Sequence, residues 1–191
     1  MIENFLKAKH WQIFLMTFGL PFIIQILTAP MVFLGNDPMI MMRVFPVIMI
    51  LCIGGLLGWF WSIGAGLQSE VPGNVKMKVK KFKILLITPL IYILLISIAM
   101  STIFNGVFES VREPDTSLMG GLLGVIIPLH LFSMFCIFYC LYFVAKTFKT
   151  VELQREVTFS DFAGEFFLFW FFPVGIWIIQ PKINKMIENE I

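Results

Sequence analysis

Charge is what this chain has least of. Asp, Glu, Lys and Arg make up only 14% of its 191 residues against 59% hydrophobic ones, and the mean hydropathy is +0.90. That leaves too little polar surface to cover a water-soluble globule of this length. Histidine occurs twice, at His10 and His130, and the three cysteines, Cys52, Cys136 and Cys140, all lie in apolar stretches, which argues against an external disulfide framework. No H-E-x-x-H, G-x-S-x-G, Walker A or dinucleotide-binding glycine pattern occurs. A net charge of +2 without a separate polar domain gives nucleic acid nothing to recognise. The chain therefore reads as non-enzymatic, with no catalytic, cofactor or metal-ligating residues assigned. His130 and Glu165 are the groups that a scattered acid–base site would have to use.

What the chain does have is long apolar runs. A hydrocarbon core about 30 Å thick takes roughly 20 helical residues to cross, and runs without period-two alternation exclude a β-barrel. The expected fold is all-α, a polytopic helical membrane bundle forming a single domain over residues 1–191. Spans are placed at about 11–34, 44–67, 83–104 and 121–143, with a fifth, shorter segment at 162–179. The first run is too long for a signal-peptide core and reads as a retained helix.

Basic residues orient such a bundle, because short loops rich in Lys and Arg stay in the cytoplasm. Lys7 and Lys9, then Lys76, Lys78, Lys80, Lys81 and Lys83, then Lys146, Lys149 and Arg155 fall on one side. Asp37 and Arg43, then Glu109, Arg112, Glu113 and Asp115, fall on the other. A cytoplasmic N-terminus follows. The cluster from Lys76 to Lys83 serves that topology, and it is also a candidate contact for anionic lipid headgroups. Trp11, Trp59, Trp61 and Tyr142 lie near the same boundary and fit an interfacial aromatic belt.

Gly54, Gly58, Ser62 and Gly66 recur every four residues on the second helix, a small-residue stripe that lets another helix approach closely. It is a candidate packing seam within the chain, or a contact with a second copy or another membrane protein. Gln25, Ser97 and His130 come to similar depths near the midplane and form a candidate polar layer, either hydrogen-bonding glue or a route for a solute or proton. Cys136 and Cys140 share a helical face, but His130 lies off it, so small apolar fillers are the expected role for the thiols. The repeated Gly-Gly-Leu-Leu-Gly at 54–58 and 120–124 sits mid-span in one copy and at a helix start in the other, which argues against an internal duplication.

The C-terminal segment is the most distinctive. Thr158 or Ser160 can cap a helix whose first turn holds Asp161, and Pro173 and Gly175 break it after about three turns. Two geometries are open. In one the segment spans, and Trp177 reaches the external interface with Lys182 and Lys185 outside, against the charge rule. In the other the chain re-enters at Pro173 to Gly175 and both lysines stay inside. Length and the placement of Trp177 favour the span. Glu165 is a candidate membrane-edge carboxylate, with Lys146 or Lys149 as partner.

The stretch Trp170-Phe-Phe-Pro-Val-Gly-Ile-Trp-Ile-Ile-Gln-Pro resembles the closing segment of a group of small multi-pass inner-membrane proteins of Gram-negative bacteria that lack an assigned function. The resemblance extends from Tyr139 onward. It implies the bacterial inner membrane and brings no catalytic residues with it. Two functional classes follow from the whole reading: an accessory or structural subunit of a membrane assembly, or a small oligomeric channel or transporter built around Gln25, Ser97 and His130, whose proline-broken helices transport sites also use.

Overall fold

The computed structural model describes residues 2–35, 40–109 and 116–188. Asp37, Arg112, Glu113 and Asp115 of the two expected outer loops lie outside the described residues, as do the side chains of Arg43 and Glu109. A short α1 (Ile2–Lys7) precedes a long first helix made of α2 (His10–Phe14), a π-turn (Leu15–Gly19) and α3 (Leu20–Leu34). Then come α4 (Ile40–Gly66), a 3₁₀ turn (Leu67–Glu70), α5 (Val79–Glu109), α6 (Thr116–Leu153), α7 (Phe159–Trp170) and α8 (Phe172–Glu188). Every described element is helical.

Among the described residues, four helices are long and apolar enough to cross a membrane: His10–Met31, Val44–Glu70, Val79–Ile98 and Gly124–Leu153. They alternate in direction, so His10, Gly66, Val79 and Leu153 share one end of the bundle, here called the basal end. The Gln154 amide confirms the alignment by donating to the Glu70 carbonyl at 3.2 Å. α6 runs ten residues beyond the expected stop at 143. The reason is packing: Val144, Ala145 and Phe148 are wholly buried and Val151 nearly so, and this stripe forms the wall on which the C-terminal segment rests.

Pro21 shapes the first helix. It has no N–H to give the carbonyl of Thr17, four residues earlier, and in a membrane an unpaired carbonyl is costly. The chain widens into the π-turn at that point, and the Cys52 thiol on α4 supplies the missing donor to Thr17 O at 3.0 Å. Gly55 makes the approach possible, since a Cβ there would come within 2.6 Å of the Thr17 methyl.

The core lies in the basal half. Trp59, Phe60, Phe82, Phe148, Phe162 and Phe169 are fully buried there, whereas distal side chains such as Leu27, Leu95, Ile98, Val125 and Leu131 are largely exposed. Exchanging lipid for protein contact brings little hydrophobic gain within a bilayer, so close packing and hydrogen bonds hold the helices together.

Candidate functional site

The polar chemistry of the described residues concentrates where the C-terminal segment enters the basal half. Thr158 is the N-cap of α7, in extended conformation. Its backbone N–H and hydroxyl both donate to Asp161 Oδ2, at 2.8 and 2.9 Å, and Arg155 pairs with Asp161 Oδ1 at 2.8 Å. The Arg155 hydrogen bond, followed by the two from Thr158, holds the Asp161 carboxyl well below the usual carboxylate range.

α7 ends at Trp170; the backbone of Phe171 (φ −86°, ψ 55°) leaves the helix, and α8 begins at the next residue, Phe172. Pro173 stands in the first turn of α8, where its missing N–H costs nothing. Gly175 is required for the bend: a Cβ at this position would collide with the Leu168 carbonyl oxygen. No side chain fits there.

The bend sends α8 back to the basal end. Lys182 reaches Glu152 at 3.3 Å, Trp177 packs its ring 4.5 Å from that of His10, and Met186 and Ile187 share a cleft with Leu6, Lys7 and Gly66. Both ends of the α7–α8 pair thus lie on one side of the bundle, which is the re-entrant geometry. The full span favoured by length is not what forms. Trp177 sits beside the start of the first helix, and the lysines that the span would have placed opposite Lys7 lie near it.

Gln180 locks the hairpin in place. Its side chain is fully buried; Oε1 accepts from the Trp59 indole N–H at 2.8 Å. Nε2 points at the carbonyls of Leu6 (3.0 Å), Ala8 (2.9 Å) and Phe5 (3.1 Å), at the C-terminal end of α1. These carbonyls have no donor within the short helix. Asn184, one turn on, donates to Ala8 O at 3.2 Å. Trp59 is accordingly a core residue, touching Phe169 at 5.2 Å, and not part of the interfacial belt. Trp11 and Tyr142 are exposed, and Trp61 is half-buried.

Glu165 pairs with Lys149 at 2.9 Å, and Lys149 also reaches Glu152 at 2.6 Å. With Lys182 this makes a four-residue ionic chain joining α6, α7 and α8. Lys146 takes no part in it.

The candidate midplane layer does not assemble within one chain. His130 Nδ1 lies 3.1 Å from the Tyr92 hydroxyl, and no hydrogen bond, ion pair or ring contact among the described residues joins Gln25, Ser97 and His130. Gln25 and His130 are exposed on the outer faces of α3 and α6; Ser97 is half-buried. The small-residue stripe is likewise split. The Phe5 ring of α1 covers Gly58, while nothing lies within 4 Å of a Cβ built on Gly54. Gly54, Gly58 and Ser62 line an apolar groove between α4 and α5. The close approaches fall instead on Gly55, against Thr17, and Gly64, where a Cβ would come within 2.5 Å of the Phe82 ring. Cys136 and Cys140 are fully buried.

Sequence reasoning did not single out Gln180, Asn184, Tyr92 or Glu152. Gln180 carried a signal, being a lone amide in an apolar run, a placement that calls for a partner. Comparison with family models, with curated proteins and with solved structures finds no match.

Proposed function

We propose that the protein is a non-enzymatic accessory or structural subunit of a membrane assembly. The observation that carries this reading is Gln25. It stands about 22 Å along the helix from His10 and about 14 Å from Leu34, within an apolar face, exposed, and without a side-chain hydrogen-bond partner among the described residues. An amide facing hydrocarbon costs several kcal/mol unless paired, and a helix from another polypeptide is the means of pairing it. His130 also faces outward on α6, with its Nδ1 already met by the Tyr92 hydroxyl.

The assembly is placed in the bacterial inner membrane with the basal end cytoplasmic. Every Lys and Arg except Arg43 and Arg112 belongs to elements at the basal end, Lys182 and Lys185 on the returning α8 included, and such an excess marks the cytoplasmic side. The C-terminal resemblance is consistent with that membrane.

Extraction of the tagged chain in a polymer disc, with mass spectrometry of what accompanies it, tests the reading. A fixed complex with a different polypeptide, cross-linking through a photoreactive residue at the exposed position 22 one turn away and lost in Gln25→Leu, is expected. A symmetric self-assembly with solute or proton flux sensitive to His130→Ala would overturn it in favour of the channel or transporter.

A further inference from the structure

We propose that the groove between α4 and α5 holds one acyl chain of an anionic phospholipid whose headgroup is taken by Lys83 and its neighbours. The groove is lined by Leu57, Trp61, Leu86 and Leu90 with Gly54, Gly58 and Ser62, and has a volume of about 290 Å³. It is almost wholly apolar: its side-chain polar groups are the Trp61 indole N–H and the Ser62 hydroxyl, and the hydroxyl is turned inward onto the Gly58 carbonyl at 2.9 Å.

Gly54 leaves the space open. A Cβ on Gly54 would meet nothing within 4 Å, so this position is small without any helix pressing on it. From Trp61 to Gly54 the groove descends about 10 Å along α4, in the direction an acyl chain takes from the basal boundary.

The mouth carries the charge. Lys83 lies over the Trp61 ring with its ammonium 5.4 Å from the centroid, which anchors a cation at the top of the groove. Lys76, Lys78, Lys80 and Lys81 are exposed around the same helix start, and none of the five is ion-paired among the described residues. Charge complementarity therefore selects an anionic headgroup, while the groove below selects a lipid over a free anion. A second helix would also use the small residues, but it would leave this cluster without counter-charge.

The test uses the full chain purified in mild detergent, with retained phosphatidylglycerol and phosphatidylcholine counted by native mass spectrometry. One phosphatidylglycerol is expected to be retained in preference to phosphatidylcholine. Removing charge in Lys80→Gln/Lys83→Gln weakens retention roughly five-fold per lysine, equivalent to about 1 kcal/mol each. Filling the groove with Gly54→Leu, or with Leu90→Trp from the other wall, abolishes retention without changing the thermal unfolding midpoint. Retention that survives both groove-filling variants, equal retention of the two lipids, displacement by inorganic phosphate, or a bound polypeptide released by Gly54→Leu would each overturn the site.

Discussion

Replacing Gln180 by leucine removes one amide of nearly the same volume and asks how much holds α1 and the re-entrant hairpin to the bundle. The change leaves the Trp59 indole N–H, buried and donating at 2.8 Å, without an acceptor. It also strips donors from carbonyls at the end of α1, of which the two Nε2 hydrogens can satisfy two at a time. Each buried polar group left unpaired costs about 1–3 kcal/mol. Two or three such groups give a loss of roughly 2–9 kcal/mol, some of it recovered if water reaches the α1 carbonyls. Titration of the purified protein from mild detergent into sodium dodecyl sulfate, followed by tryptophan fluorescence, reads the stability. Hydrogen exchange on 2–14 reads the local effect. Adding Trp59→Phe removes the orphaned donor, so the double variant should be less destabilised than the sum of the two singles by at least about 1 kcal/mol. Strict additivity, with exchange in α1 and α2 unchanged in Gln180→Leu, would refute the idea that this amide joins the three elements.

Three further outcomes follow from the geometry. Gly175→Ala forces a methyl onto the Leu168 carbonyl and should cost about 3 kcal/mol or more, read as a lowered unfolding midpoint or loss of folded protein at purification, whereas Gly164→Ala, with open space at its Cβ, should be neutral or slightly stabilising. On α4, Gly55→Leu should destabilise by at least about 2 kcal/mol, by driving the π-turn off the helix, and Gly54→Ala should change stability by less than about 0.5 kcal/mol; equal effects in the same denaturation assay would contradict the assigned packing seam. Asp161 has its folded pKa depressed, so its contribution to the α7 cap is fully present above the unfolded value of about 3.9 and fades as pH falls through the lower folded value. Exchange protection of the first turn of α7 should hold from pH 7 to about 5 and drop below about 4, with the acid limb absent in Asp161→Asn.

The helical fold was legible because length and apolarity suffice for it: each of the four spans is a run that only a helix can carry through lipid. The basic loops were legible for a similar reason, since loop charge is a local property. The direction of the C-terminal segment was not. Residues 162–179 are long enough to cross, and the bend depends on Gly175 meeting the Leu168 carbonyl, a contact that no window of sequence displays. The charge of Lys182 and Lys185 was the better guide and pointed to the side on which they lie. The Lys149–Glu165 pair could be anticipated because both residues flank the α6–α7 turn. Trp59 and Gln180 could not be paired, being 121 positions apart with nothing local to link an indole to an amide. The even spacing of Gly54, Gly58, Ser62 and Gly66 pointed to a packing seam, while the close approaches fell on Gly55 and Gly64, because helix faces are chosen by neighbours and not by regular spacing.

The central claim is that the chain returns at Phe171 and places α8 on the same side as α1 and the lysine cluster. Lys185→Cys, at an exposed position on α8, in a chain with Cys52 replaced by serine, which keeps a donor for the Thr17 carbonyl, and Cys136 and Cys140 by alanine, tests it through labelling by a membrane-impermeant maleimide. The account predicts no labelling from outside intact cells and full labelling in inverted vesicles, matching a cysteine placed at Lys76. Labelling of position 185 from outside intact cells, with position 76 protected, would contradict it.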